Sequence, residues 1–225
     1  MKKKAVVFGL HNFAQIFYLH YKSSYEAIKN MPEICAFTVD SEYKTKDTFC
    51  GLPVCEFENL VSEFPPDVYS MFILIGYKKM NQNRKETFGR VTNLGYELPN
   101  FIHPTANLFA DDVGDGNILF PGAMIDLCAV VGDGNIMISG SSFGHHGELG
   151  NYNYFASNAT VAGHTKIEDC CYLGLNSSIT NKIELGSKTY VAAGVTLSES
   201  TKEGTVVLPY HKATILEGKS HLVEF

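Results

Sequence analysis

The chain has 225 residues, 45% of them apolar and 19% charged, a composition that folds rather than one that stays disordered. Its 18 basic and 24 acidic residues leave a formal charge of −6, which argues against a dedicated nucleic-acid or anionic-membrane binder, because either needs a concentrated basic surface. Apolar runs such as residues 71–75 are far too short to span a bilayer.

The start imitates an export signal, with three lysines ahead of the apolar residues 5–10. His11, Asn12 and Gln15 break that run and no small-residue cleavage pattern follows. The six cysteines form no CxxC pair, so the expectation is a cytoplasmic protein with reduced thiols. Residues 5–9 read as a short buried strand ended by glycine, and apolar residues recur at helical spacing over 12–21. A second strand over 34–39 stops at Asp40. Gly51, Leu52 and Pro53 have turn chemistry, and residues 56–64 suggest a short helix before Pro65 and Pro66. Residues 68–75 read as a third core strand ending at Gly76, followed by a helix over 81–94. This alternation predicts a Rossmann-like α/β domain over residues 1–103, with a parallel sheet faced by helices. The turn at 9–13 leads from strand to helix, where free backbone amides can hold a phosphate. It lacks a full GxGxxG, which argues against a dinucleotide dehydrogenase.

Over residues 104–225 the period changes. Stepping by six from Val113 to Leu197 meets an apolar residue every time, and the residue two before each is mostly small, as at Ala123, Ser141, Gly147 and Ser177. A longer period of eighteen rides on it, with Gly114, Gly132, Gly150 and Gly186 in equivalent places. Six is the repeat of a left-handed parallel β-helix, in which three short strands make a triangular coil and each apolar residue points inward. Residues eighteen apart then lie above one another. Asn117, Asn135 and Asn153 should form a structural hydrogen-bond ladder, Gly163 should lie one coil beyond His145, and His164 one coil beyond His146.

His145 stands beside glycines where the repeat departs from its neat pattern, which makes it the candidate catalytic base; a surface histidine filling a corner is the plain alternative. His145, His146 and His164 together suggest a metal site as a rival, since imidazoles suit zinc, but no carboxylate or cysteine joins them at ligand spacing, and no metal is expected. Asp40 could contact a ribose or base, or simply end its strand.

Over residues 4–200 the chain resembles the hexapeptide-repeat sugar acyltransferases, typified by the bacterial UDP-4-amino-sugar N-acetyltransferases and the sialic acid O-acetyltransferases. The residues that carry the resemblance are the strand–glycine–helix start, Asp40, Ile75 and Gly76 with Arg84 beyond, the junction at 101–106 (FIHPTA), the repeats and the His145 segment. The resemblance implies a homotrimer that moves an acetyl group from acetyl-CoA to the amino group of a nucleotide-linked sugar. It implies His145 as general base, with His146 at the position of the family's usual acidic partner. It further implies His11, Asn12, Phe13, Asp40 and Gly76 as sugar-nucleotide contacts, Tyr154, Leu175 and Ala193 as acetyl-CoA contacts, and a backbone N–H near Gly163 facing the oxyanion. Two other stretches depart from the family: His11, Asn12 and Phe13 replace Gly-His-Gly, and residues 208–212 (LPYHK) replace Gly-Val-Pro-Ala-Lys. Sugar O-acetylation and a non-catalytic sugar-nucleotide binder remain alternatives.

Overall fold

The computed structural model describes residues 4–28 and 31–210; His211, Lys212 and His221, which the tail reading touched, lie outside them. Strand β1 (Lys4–Phe8) leads into helix α1 (Asn12–Ser24), followed by β2 (Glu33–Val39), β3 (Thr48–Phe49), β4 (Leu52–Glu56), the short α2 (Leu60–Glu63), β5 (Tyr69–Ile73) and α3 (Gln82–Asn93). The sheet order is β3-β4-β2-β1-β5. Every pairing is parallel except β3–β4, a hairpin turned by Cys50 and Gly51, both at positive φ. The turn expected at 51–53 is thus one residue early and runs straight into a strand, because Pro53 sits near the start of β4, where proline is tolerated. Helix α1 buries Ala14, Phe17, Tyr21 and Ser24, and α3 buries Arg84, Thr87, Phe88 and Val91, both at helical spacing.

From Phe101 onward two-residue strands wind a left-handed parallel β-helix with three faces. Seven strands, from Phe101–Ile102 to Val206–Val207, make the face against which the N-terminal layer docks. Six strands, from Asn107–Leu108 to Thr196–Leu197, make a second face, and five, from Asp112–Val113 to Glu184–Leu185, a third. Pairing within the repeat joins residues eighteen apart, for example Ser142 with Thr160 and Glu148 with Lys166. The period-six residues from Leu119 to Leu197 all point inward and are buried, and Val113 packs against them partly buried at the first coil. No helix among the described residues is long and apolar enough to cross a membrane.

Two polar ladders run up the coil. Asn117 Oδ1 accepts the Asn135 N–H at 2.9 Å, Asn135 Oδ1 the Asn153 N–H at 2.9 Å, and Asn153 Oδ1 the Cys171 N–H at 2.7 Å. Asn100 starts the column by accepting the Asn117 N–H at 2.7 Å. A second ladder runs the other way: Asp133, Asn151 and Asp169 each accept, at 2.8 Å, the N–H of the residue one coil below. Glycine at 114, 132 and 150 makes room for it, since a Cβ there would fall within 2.8 Å of the Oδ1 of Asp133, Asn151 or Asp169.

One buried cation ties layer to coil. Arg84 is 1% exposed and has no carboxylate partner among the described residues; its guanidinium donates to the carbonyls of Gly134 (3.1 Å), Ile75 (3.3 Å), Tyr152 (2.6 Å) and Asn153 (3.1 Å) and to Asn81 Oδ1 (3.0 Å). Burial lowers its pKa to about 10, still far above neutrality, so it stays charged. Phe17 and Tyr21 of α1 pack on Phe101 of the first coil, and Phe88 of α3 on Tyr152.

Asn135→Ala would remove amide donors from the Gly132 and Gly150 carbonyls and orphan the buried Asn153 N–H. We expect a loss of about 2–4 kcal/mol in a denaturant titration, from several buried hydrogen bonds at once, while Asn107→Ala, at an exposed outward position, costs little. Equal stability of the two variants would show that the ladder is dispensable.

Candidate active site

His145 and His146 occupy the turn between the second and third faces. His145 lies over Gly163 of the next coil: a Cβ on Gly163 would sit 2.6 Å from its Cε1 and 2.7 Å from its Nε2. Glycine at 163 therefore makes the space in which the His145 ring sits, and its backbone conformation is one any residue can adopt. His145 O accepts the His164 N–H at 2.9 Å, which fixes the register of the two turns. Among the described residues no backbone carbonyl takes the Gly163 N–H, and Gly144 keeps its nitrogen bare, since a Cβ at 144 would approach it to 2.5 Å. A proton acceptor beside an unpaired buried N–H is an arrangement suited to acyl transfer.

The Nδ1 atoms of His145 and His146 lie 3.1 Å apart. One hydrogen bridges them, so one ring donates and the other accepts. With His145 as donor its Nε2 lone pair is free, and His146 supplies the acceptor that a carboxylate would otherwise provide. His146 has φ 55 and stacks on His164 at 5.0 Å with an interplanar angle of 18°. All three rings are exposed. Desolvation first, then the charges of His146, His145 and Lys182, lower the pKa of His164, so this crowded corner favours a neutral ring there. Glu148, the nearest acidic residue along the chain, turns to the third face and pairs with Lys166 at 3.5 Å.

The N-terminal layer carries a cavity of about 700 Å3 lined by Gly9, His11, Phe13, Asp40, Gly76, Tyr77, Lys78, Lys79 and Arg90, among others. Four of the five expected nucleotide contacts thus converge; Asn12, the first residue of α1, is exposed and stands outside the lining. Gly9 has φ 134 and closes on Leu74 O, where a Cβ would approach to 2.9 Å, so only glycine turns the chain there. The first amides of α1 have no side-chain cap and are free to meet an anion. Asp40 is not a free acceptor: Arg90 of α3 grips both its oxygens and lies over the Phe57 ring at 4.3 Å. That pair was not legible in the sequence.

Lys78 and Lys79 stand on a turn in which Lys79, Met80 and Asn81 are all left-handed, with φ of 52, 50 and 61. Such a run is strained for residues with a Cβ. Asn81 holds it, fully buried, by donating to Cys171 O at 3.0 Å and accepting from Arg84. Tyr77, at the cavity wall, packs on Tyr154 and Tyr172, whose rings stack with Tyr190 up the docked face. Tyr154 is 9% exposed, covered by Phe13 and Tyr77, and burial raises its pKa to about 12. Leu175 and Ala193 are exposed on successive coils at the corner between the docked and second faces. The structure does not bring these residues to His145: they mark one edge of the second face, and His145 the other.

No family model matches the chain, and no curated protein matches it. Solved structures do. The acetyltransferase domain of PglB from Neisseria gonorrhoeae, in complex with acetyl coenzyme A, is 20% identical, with 92% of this chain and 96% of that one covered at a TM-score of 0.78. PerB from Caulobacter crescentus, in complex with CoA and GDP-perosamine, is 20% identical over 90% and 92%, at 0.77. WeeI from Acinetobacter baumannii is 20% identical over 90% and 95%, also at 0.77. The chain has the fold of these proteins.

Gly163→Ala tests the His145 seat. The exposed ring yields more easily than the coil, so the melting temperature should barely move while the His145 imidazole resonances shift. Any proton transfer served by that ring should fall roughly a hundredfold, the cost of an ångström-scale misplacement. Unchanged resonances would mean that His145 does not rest on Gly163.

Proposed function

We propose that the protein transfers an acetyl group from acetyl-CoA to the amino group of a nucleotide-linked sugar, with His145 as general base. The observation that carries this is His145 itself, seated on Gly163 with Nδ1 tied to His146, in a fold shared with structures that hold acetyl-CoA, or CoA with GDP-perosamine. The amine attacks the thioester carbonyl, His145 Nε2 takes the proton, and the tetrahedral oxyanion meets the Gly163 N–H. Collapse expels the CoA thiolate, which recovers a proton from His145. No acyl-enzyme is needed: the thiols of Cys170 and Cys171 are buried, and desolvation raises both.

The nucleotide belongs in the N-terminal cavity, its phosphates facing the α1 amides and Lys78 and Lys79, with His11, Phe13 and Gly76 around it. The pantetheine arm belongs along the corner of Leu175 and Ala193. Within one chain the N-terminal cavity adjoins the docked face, whereas His145 lies at the corner opposite that face. One substrate cannot reach both across the coil. The site is therefore completed by a second copy, in a homotrimer whose neighbouring coils face each other. Exposed Phe109 and Leu127, stacked at eighteen-residue spacing directly below His145, give that edge an apolar surface to bury.

His145→Ala should lower turnover by about a hundred- to ten-thousandfold with the fold kept, and activity within threefold of wild type would end the assignment. His146→Glu keeps an acceptor for the His145 Nδ1 hydrogen and adds a charge favouring the imidazolium, so turnover should match or exceed wild type. Its loss in a folded protein would make His146 the base. A panel of amino-sugar nucleotides and their hydroxyl counterparts, followed by mass, separates N- from O-transfer and both from simple binding. Mixing His145→Ala with an inactive Lys78→Glu/Lys79→Glu variant should restore about a quarter of the sites if base and cavity come from different chains. No recovery in mixed oligomers would put both in one chain.

A further inference from the structure

The geometry points to a site for a divalent transition-metal ion at His145, His146 and His164, where the ion inhibits rather than assists the reaction. The three imidazoles each offer one ligand nitrogen, and these atoms lie within 4.8 Å of one another. The His145 and His146 nitrogens, at 3.1 Å, are already close to the separation of about 3.3 Å that tetrahedral zinc with bonds near 2.05 Å demands. The His164 ring lies 5.0 Å from His146 and 5.1 Å from His145, centroid to centroid. All three rings are exposed, so a small rotation of one closes the set without moving the coil. The backbone is meanwhile fixed by the His164 N–H bond to His145 O. Three neutral nitrogen donors suit zinc, copper or nickel, and leave a coordination position for water. Lys182, one coil above His164, is the nearest cation in this column, and its exposed side chain can turn away.

The consequence for catalysis follows from the valence of imidazole and rests on the reading of His145 as base. A neutral ring has one hydrogen and one lone pair. When the ion takes the lone pair of His145, the hydrogen occupies the other nitrogen and nothing remains to accept a proton from substrate. The ion and the substrate proton therefore compete for the same electron pair.

The test uses the full chain with zinc as probe, in a Cys128→Ser background that removes the exposed thiol at the same corner. Calorimetry against a competing chelator should show one zinc per chain, weakened about tenfold or more by His164→Asn. Acetyl transfer, followed by mass because free CoA itself binds zinc, should be inhibited by zinc and restored by chelation. His164→Asn should transfer acetyl at close to the wild-type rate and resist zinc. Zinc that binds the His164→Asn protein as tightly as the parent, or fails to bind the parent, overturns the site. Zinc held through His164 with transfer undiminished overturns the inhibition, and with it His145 as base. The binding arm needs no substrate, so it decides the site even if the proposed reaction is wrong.

Discussion

Eighteen residues per coil is the constraint on which everything else rests. Each strand residue pairs in register with its counterpart one turn on, so a column of equivalent positions must share one environment. Inward positions demand apolar side chains of matched bulk, and one corner of each coil demands asparagine or a mimic. Where the pattern runs out the ladder stops: Glu168 stands where the coils below have glycine and Cys171 where they have asparagine, and the Asn153 side-chain nitrogen has no partner among the described residues. An inserted residue anywhere in this stretch would shift every column above it. The same rigidity that makes the core regular sets side chains at the corners, and His145 inherits its place over Gly163 from the register.

The N-terminal layer obeys different physics. Its sheet and helices could dock on any of three faces, and the choice is enforced by side chains crossing the boundary. Arg84 satisfies carbonyls that belong to α3's own loop and to two coils of the helix, an arrangement in which no other residue supplies enough donors. Asn81 uses the same contact to hold three left-handed residues in place. Docking and the cavity rim are thereby one structure: loosening Arg84 would release the turn that carries Lys78 and Lys79.

This division explains what could be read in the sequence. The inward column, the asparagine ladder and the meeting of His145, His146, Gly163 and His164 were all legible, because a solenoid converts spacing into contact. The strands and helices of the N-terminal layer followed from periodicity, apart from the β3–β4 hairpin, whose two-residue β3 is too short to show a period. The Arg84 contacts, the Asp40–Arg90 pair and the packing of Tyr77 on Tyr154 and Tyr172 were not legible. Each joins residues from elements whose mutual placement depends on docking, and sequence spacing does not encode docking. Asn12 is the instructive case in the opposite sense. The resemblance placed it among the nucleotide contacts, yet as the first residue of α1 its side chain faces solvent while His11 and Phe13 line the cavity.

An imidazole at 146 gives the corner properties that a carboxylate would not. A carboxylate is acceptor-only, so it would orient the neighbouring imidazole in one tautomer and hold it there. An imidazole can donate or accept through Nδ1, so the His145–His146 pair has two arrangements of its shared hydrogen, only one of which frees Nε2 of His145. Glu148, the nearest acidic residue along the chain, is paired with Lys166 on the third face. His146 is therefore a partner that can exchange donor and acceptor roles with His145, as a carboxylate cannot. The corner thereby gathers nitrogens from three imidazoles within 4.8 Å of one another, a grouping that a carboxylate at 146 would not have created.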